Sequence, residues 1–269
     1  GSEMCIRDRL KAVLASMEKV VIAFSGGVDS SLVLAAALDV LGEENVLSVV
    51  ADSELIMKKE YLDAMENSKK IGARTQGVFL DELSIEEIRS NQPSSWFYSK
   101  RLLYQELSAI KENLGFNWVV DGMIMDDAFD YRPGLKARDA FNVRSPLQEA
   151  EFYKPDVRKA SRDYQVPTWN KPATCHILSR FEYNDVLTSE RLERVKKSEI
   201  YLQEQGFKIV RVRDHNTVAR IEIEKEKFPL FLEKSEAVEK TLESFGYPFV
   251  SLDIKGYAYG KMNKLLEKK

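Results

Sequence analysis

The sequence predicts an α/β protein, a doubly wound parallel sheet followed by a small C-terminal α+β domain. Three observations predict it. Val20–Phe24 is an unbroken apolar run, Ser25-Gly26-Gly27-Val28-Asp29-Ser30 is a glycine turn, and Ser31–Leu38 is apolar again, so the chain reads strand, tight turn, buried helix. Strand and helix patterns then alternate as far as Asp121, as parallel sheets require. From Thr188 the pattern changes, which divides the chain into residues 1–187 and a small α+β domain, 188–269.

Taken in order, Met4–Glu18 is charged and amphipathic and predicts a leading helix. Val46–Ala51 is a second buried strand, ending at Asp52-Ser53. Lys58–Ile71 carries Tyr61, Leu62, Met65 and Ile71 at helical spacing. Gly77–Leu80 is a short third strand, and Ser84–Arg89 a short helix with Ser84 and Glu87 spaced as a capping box. Ser99–Leu114 is a longer helix with Leu103, Leu107, Ile110 and Leu114 on one face, and Trp118–Val120 a fourth strand. Met123–Pro146 has little periodicity and reads as a loop, Lys154–Gln165 as a helix, and Pro167–Arg180 as a turn-rich stretch. In the tail, Ser189–Gln205 is an amphipathic helix. Lys208–Arg213 and Thr217–Ile223 flank Asp214-His215-Asn216 as a hairpin. Phe228–Phe245 reads as one further helix and Pro248–Ile254 as a last strand.

Ligands of such sheets bind beyond the carboxyl ends of the strands. That groups Ser25–Ser31, Asp52-Ser53 and Asp121–Asp127 at one rim. Paired glycines let a ligand approach the main chain, and the N–H groups of a helix start favour an anion. Ser25, Ser30 and Ser31 add hydroxyl donors, and Asp29 either caps the helix or holds Mg2+ through water. The lysine and spacing of the common phosphate loop, GxxxxGK[ST], are missing.

Composition narrows the function classes. The 269 residues are 44% hydrophobic with a net charge of −3, which gives no electrostatic reason to expect nucleic acid as main partner. No run approaches the about 18 apolar residues that span a membrane. Gly1-Ser2 reads as a cloning remnant, and no signal peptide is visible. Two cysteines, Cys5 and Cys175, argue against a disulfide framework and for the cytoplasm. Two histidines are too few for a histidine-based metal cage.

SGGVDSS after a strand resembles the PP-loop of the ATP pyrophosphatase superfamily, with an adenine nucleotide α-hydrolase-like fold. The resemblance implies that ATP is split between its α and β phosphates and that the loop holds the departing pyrophosphate. The whole chain is similar to the sacrificial sulfurtransferases of nickel-pincer cofactor synthesis, the cofactor of lactate racemase. The segments that carry this are SGGVDSS (25–31), SWFYSKR (95–101), DGMIMDDAFDYRPGLKAR (121–138), KPATCHILSRF (171–181), RVRDHNTVARIE (211–222) and LDIKGYAYGKMN (252–263).

The resemblance implies a sequence of steps. ATP adenylylates a carboxylate of pyridinium-3,5-biscarboxylic acid mononucleotide. The Cys175 thiolate displaces AMP, the thioester breaks at the cysteine Cβ–S bond, and dehydroalanine remains. Two protein molecules are consumed per dithiolated product. It implies a hexamer, and the lone internal cysteine favours the sacrificial mode over one using an iron–sulfur cluster.

The site residues follow. Ser25, Gly26, Gly27, Asp29, Ser30, Ser53 and Asp127 are expected to bind ATP with Mg2+, Asp29 reaching the metal through water. The resemblance implies that Arg180, Arg211 and Arg213 hold the substrate phosphate and that Trp96 and Ser179 line the same pocket, with Arg132 assigned to substrate binding. Arg211 and Arg213 alternate along a strand and share a face, and guanidinium groups suit phosphate. Cys175 is the expected nucleophile, with Lys171 or Arg180 favouring its thiolate. Glu199 matches a family position near the reactive cysteine, and the resemblance makes it the expected base for C–S cleavage.

Plainer readings stand beside these. Cys175 is otherwise an inert buried thiol, His176 a turn residue and Trp96 core packing. Glu199 is otherwise a helix-surface carboxylate, Asp127 and Arg132 part of a structured turn, and the two strand arginines a solvated face. Two other functions compete: an ammonia-dependent NAD synthetase-like enzyme that amidates its adenylate, and a non-catalytic nucleotide- or nickel-binding module.

Overall fold

Residues 5–128, 134–171 and 176–258 are described by the computed structural model. They fall into two units, one holding 5–88 with the described part of 94–171 and the other Arg89–Pro93 with 176–258.

In chain order the first unit holds α1 (Ile6–Ala15), β1 (Val20–Ala23), α2 (Val28–Leu41), β2 (Val46–Ser53), α3 (Lys58–Ile71) and β3 (Arg74–Leu80). After the short α4 (Glu86–Arg89) come α5 (Ser95–Leu114), β4 (Trp118–Val120), α6 (Met125–Ala128), α7 (Gly134–Ala140), α8 (Pro146–Glu149) and α9 (Lys154–Asp163). The sheet order is β3-β2-β1-β4, every pairing parallel. Alternation along the strands sorts the side chains onto two faces. Val20, Ile22, Val46, Val50 and Val120 pack with Leu10, Leu14, Leu32, Val157 and Ala160 of α1, α2 and α9. Val21, Leu47, Val49 and Val119 pack with Tyr104, Leu107 and Ala137 of α5 and α7. Helices therefore cover both faces, as the doubly wound expectation requires.

The second unit holds α10 (Ser189–Glu204), β5 (Val210–His215), β6 (Val218–Ile223), α11 (Phe228–Glu233), α12 (Ser235–Ser244) and β7 (Phe249–Leu252). The Thr188 hydroxyl accepts the Arg191 N–H and caps α10. β5 and β6 form an antiparallel hairpin turning at Asn216, whose φ of 58° suits asparagine. β7 returns parallel to β6, and α11 and α12 supply the crossover this needs.

Several expectations are corrected. Among the described residues the second unit starts by His176 rather than at 188, and it includes Arg89–Pro93. The cause is local hydrogen bonding. Asn91 Nδ2 donates to Phe181 O and Glu182 O, Asn184 N–H to Asn91 O, and Leu187 N–H to Arg89 O. β3 starts at Arg74, before the expected Gly77. It is an edge strand whose polar first residues, Arg74-Thr75-Gln76, lack the apolar signal of a buried strand.

Ser84 forms no capping box. Its hydroxyl donates to Asp81 O at the end of a 3-10 turn, and the helix that follows is only Glu86–Arg89. The stretch read as a loop over 123–146 contains α6, α7 and the start of α8, each too short to show a period. The single helix expected over 228–245 is two. Lys234 leaves helical angles (φ −94°, ψ 2°), and the Ser235 hydroxyl bonds back to Leu232 O. Among the described residues no helix is long and apolar enough to cross a membrane.

Candidate functional site

β1 delivers the chain into the glycine turn, and Gly26 takes φ +72°, a conformation that L side chains rarely adopt. A Cβ there would stand 2.9 Å from Ala64 Cβ on α3, so the position also lacks room for one. The loop is held by its own hydroxyls. Ser30 Oγ donates to Gly27 O (3.2 Å) and accepts the Ser25 N–H (3.3 Å). Ser25 Oγ accepts the Gly27 N–H (3.3 Å) and lies 3.1 Å from Ser30 Oγ. Since the Ser30 proton is committed to Gly27 O, the Ser25 hydroxyl is the donor of that pair. The turn is thus preformed, with the N-terminus of α2 directed at the rim.

Two lysines far along the chain reach this loop. Lys154 Nζ is 2.8 Å from both Asp29 carboxylate oxygens, and Lys171 Nζ donates to Gly26 O at 3.3 Å. The segment after β4 closes on the same turn. A Cβ on Gly122 would lie 2.8 Å from Ser30 N and 3.1 Å from Asp29 C, both backbone atoms with no side-chain freedom to yield. Gly122→Ala is therefore expected to displace the start of α2, at about 1–3 kcal/mol. ATP affinity should fall about tenfold, read by nucleotide titration beside a melting curve.

Asp121 anchors the rim. It is buried and accepts from Tyr104 Oη (2.7 Å), Ser145 Oγ (2.7 Å) and the Met123 N–H (3.1 Å). Burial, with Asp121 beside it, pushes the Tyr104 phenol up, so it stays a donor. Asp127 accepts the Ile124 N–H at 2.9 Å. At the end of β2, Ser53 Oγ donates to Glu82 (2.5 Å) and accepts the Leu55 N–H (3.1 Å). Ser99 also donates to Glu82. Burial raises the Glu82 carboxyl above its ordinary range, although both hydroxyls and Lys100 act the other way.

The second unit gathers arginines by itself. Arg180, 6% exposed, makes a two-point contact with Glu199, Nε to Oε1 at 2.8 Å and Nη2 to Oε2 at 3.1 Å. Its Nη1 donates to Ser179 Oγ (2.9 Å) and His176 O (3.2 Å). Glu199, 3% exposed, also accepts the Val212 N–H at 2.9 Å. Arg213 donates to Glu222 (2.8 Å) and to Ser179 O, while its buried Nε has no hydrogen-bond partner. Arg211 is less buried. Its Nη1 donates to Val210 O, and its guanidinium carbon stands 5.3 Å from the Tyr257 ring centre. Behind them, burial alone would raise the Asp214 carboxyl, but Arg191, Tyr247 and Arg194 outweigh it and hold it below its ordinary range.

Comparison with known proteins decides the family. A model of the NAD synthase family matches residues 2–94, the stretch that contains the glycine loop. The chain is 46% identical over 259 residues to the pyridinium-3,5-bisthiocarboxylic acid mononucleotide synthase of Lactiplantibacillus plantarum, covering 96% of this chain and 94% of that one. The chain belongs to the pyridinium-3,5-bisthiocarboxylic acid mononucleotide synthase family. An uncharacterized protein of Synechocystis is 36% identical over 97% of this chain and 98% of its own. A glutamine-dependent NAD(+) synthetase of Aquifex aeolicus is 39% identical over only 81 residues, 30% of this chain and 14% of its own.

For this synthase-family chain, the structure brings Ser25, Gly26, Gly27, Asp29 and Ser30 into one turn. It brings Ser179, Arg180, Glu199 and Arg213 into one bonded cluster. Cys175 and Arg132 lie outside the described residues. Trp96 is 44% exposed, which removes the core-packing reading, and burial of Glu199 removes the helix-surface one. His176 serves its turn, its Nδ1 accepting the Leu178 N–H at the start of the 3-10 turn Ile177–Arg180. Of the two cations expected to favour the thiolate, Lys171 is bonded at Gly26 O and Arg180 at Glu199.

Sequence reasoning missed Lys154, Glu82, Gly122 and Glu222. Lys154 and Asp29 are 125 residues apart, so no local pattern joins them. Gly122 carried a signal, a glycine directly after a strand, that pointed to close backbone approach. Among the described residues no group of three or more His, Cys, Asp or Glu side chains is gathered to hold a metal ion.

Proposed function

We propose that this chain uses ATP to adenylylate a carboxylate of pyridinium-3,5-biscarboxylic acid mononucleotide and then donates the sulfur of Cys175 to it. The observation that carries the reading is the self-bonded glycine turn in a chain 46% identical, over 96% of its length, to a pyridinium-3,5-bisthiocarboxylic acid mononucleotide synthase.

Within this reading the loop amides and the Ser25 and Ser30 hydroxyls receive the phosphates, with Ser53 and Asp127 at the nucleotide's rim. Asp29 is the one carboxylate of the turn, and a single carboxylate with phosphate oxygens suits Mg2+, which would neutralise phosphate charge there. Arg211, Arg213 and Arg180, with Arg132, Ser179 and Trp96, take the mononucleotide, its phosphate on guanidinium donors and its pyridinium ring on the indole face. Among the described arginines of this set Arg211 keeps the most donors for a ligand, while Arg180 is tied to Glu199 and Arg213 to Glu222.

The carboxylate oxygen attacks the α-phosphorus and pyrophosphate leaves. The thiolate attacks the acyl carbon and AMP leaves. A base removes the Cα proton of residue 175, the Cβ–S bond breaks, and the thiocarboxylate departs with the electron pair. Glu199 is the base of this proposal, although Arg180 and the Val212 N–H hold both its oxygens at rest. We place the chain in the cytoplasm as a homo-hexamer, without an iron–sulfur cluster and without nucleic acid as partner. A synthetase that amidates its adenylate is the second reading, favoured by the NAD synthase match, but that match ends at residue 94 and speaks for the loop alone.

Intact-protein mass spectrometry after incubation with ATP, Mg2+ and the biscarboxylate mononucleotide tests the proposal. The chain is expected to lose about 34 Da, the mass of H2S, with pyrophosphate released. Pyrophosphate without mass loss favours the amidating enzyme, and no pyrophosphate at all leaves a binding module.

A further inference from the structure

The loop has an electrostatic problem that its own sequence does not solve. It must hold a leaving group of several negative charges, yet Ser25–Ser31 carries one acid, Asp29, and no cation. Lys154 sits where the missing charge is needed. Its ammonium is 2.8 Å from both Asp29 oxygens in the first turn of α2, and both side chains keep solvent access, 36% and 28% exposed. Its backbone is fixed. Lys154 is the first residue of α9, its N–H donates to Asp126 (3.0 Å), the Tyr153 N–H donates to Asp156 (3.0 Å), and Val157 and Ala160 are buried in the core. A fixed stem with a flexible, three-donor tip can exchange a carboxylate for a phosphate oxygen without moving the helix that bears it.

We propose that Lys154 is a pyrophosphate-binding residue, its ammonium passing from Asp29 to the β and γ phosphates when nucleotide binds. This rests on the adenylylation reading above. The exchange keeps the charges matched. The ammonium moves to the phosphates, and the Asp29 oxygens lose that cation and can turn to hydrated Mg2+. The ion pair masks both groups, so each competes with a ligand for the other.

Calorimetric titration of the full chain with inorganic pyrophosphate, and separately with AMP, tests this. Lys154→Met is expected to weaken pyrophosphate about tenfold or more, as loss of a charge-assisted contact should, and to leave AMP within about twofold. Lys154→Arg should restore most of the pyrophosphate affinity. Asp29→Asn, titrated without Mg2+, should bind pyrophosphate more tightly than the native chain, because the ammonium is no longer held. A purely structural role for Lys154 predicts equal losses for pyrophosphate and AMP. That result overturns the proposal, as do native-like titration of Lys154→Met, weaker binding by Asp29→Asn without Mg2+, and no pyrophosphate binding by the native chain. Failure of the wider reading is seen separately, as a native chain that binds pyrophosphate but releases none from ATP.

Discussion

Cys175→Ala is expected to release pyrophosphate from ATP in the presence of the biscarboxylate mononucleotide and to form no thiocarboxylate. The two half-reactions use different groups. Adenylylation needs the phosphate loop and a bound carboxylate, and neither Ser25–Ser30 nor the arginine cluster depends on a thiol. Sulfur transfer has one source in this reading, and Cys5 is no substitute, being an exposed residue at the far end of the sequence. The effect is therefore all or none for sulfur and small for pyrophosphate. Pyrophosphate assay and mass spectrometry of the small-molecule product check it together. The acyl-adenylate should persist or hydrolyse slowly, visible as AMP lagging behind pyrophosphate. A Cys175→Ala chain that still makes thiocarboxylate would mean an external sulfur donor, and the sacrificial scheme would be abandoned.

The second large effect is on stability. Glu199→Ala leaves the Arg180 guanidinium and the Val212 N–H without their acceptor in a site where both side chains are under a tenth exposed. Breaking one partner of a buried pair costs about 3–5 kcal/mol. A melting temperature lower by roughly ten degrees is the expected reading. Replacing both charges, Arg180→Met with Glu199→Leu, should recover much of the loss, because no uncompensated charge remains. Glu199→Gln separates support from chemistry. The amide keeps the size and one acceptor oxygen, so most of the fold stability should survive. If Glu199 also removes the Cα proton, this variant stalls with the substrate acyl group as a thioester on Cys175, a stable mass gain. If it only holds Arg180, the protein ends as dehydroalanine at a reduced rate.

The strands and the glycine turn were legible because their signal is local. Val20–Phe24 is apolar along its whole length and Val46–Ala51 but for Ser48, and glycine takes φ +72° at no steric cost. What was illegible is either too short or too distant. Met125–Ala128 and Pro146–Glu149 last one turn each and show no period. Arg74–Gln76 lies on an edge, where a strand needs no apolar face. The loop residues of the site announced themselves through spacing, but their partners did not. Lys154 looks like any lysine opening a helix, and Glu82 like any acid in a polar turn. Glu199 gave a misleading signal. It lies in a helix rich in charge, yet Ser198, Glu199 and Leu202 are buried together.

The short strip Arg89–Pro93 has a practical meaning for anyone dissecting the molecule. Asn91 feeds two carbonyls of the 181–182 corner, and Arg89 receives the Leu187 amide. A recombinant fragment beginning at residue 175 would lack these partners, since they are encoded more than eighty codons upstream, within the other half of the gene. The two units are consequently not exchangeable modules. Fusion, swapping or split-protein designs would have to carry that strip along.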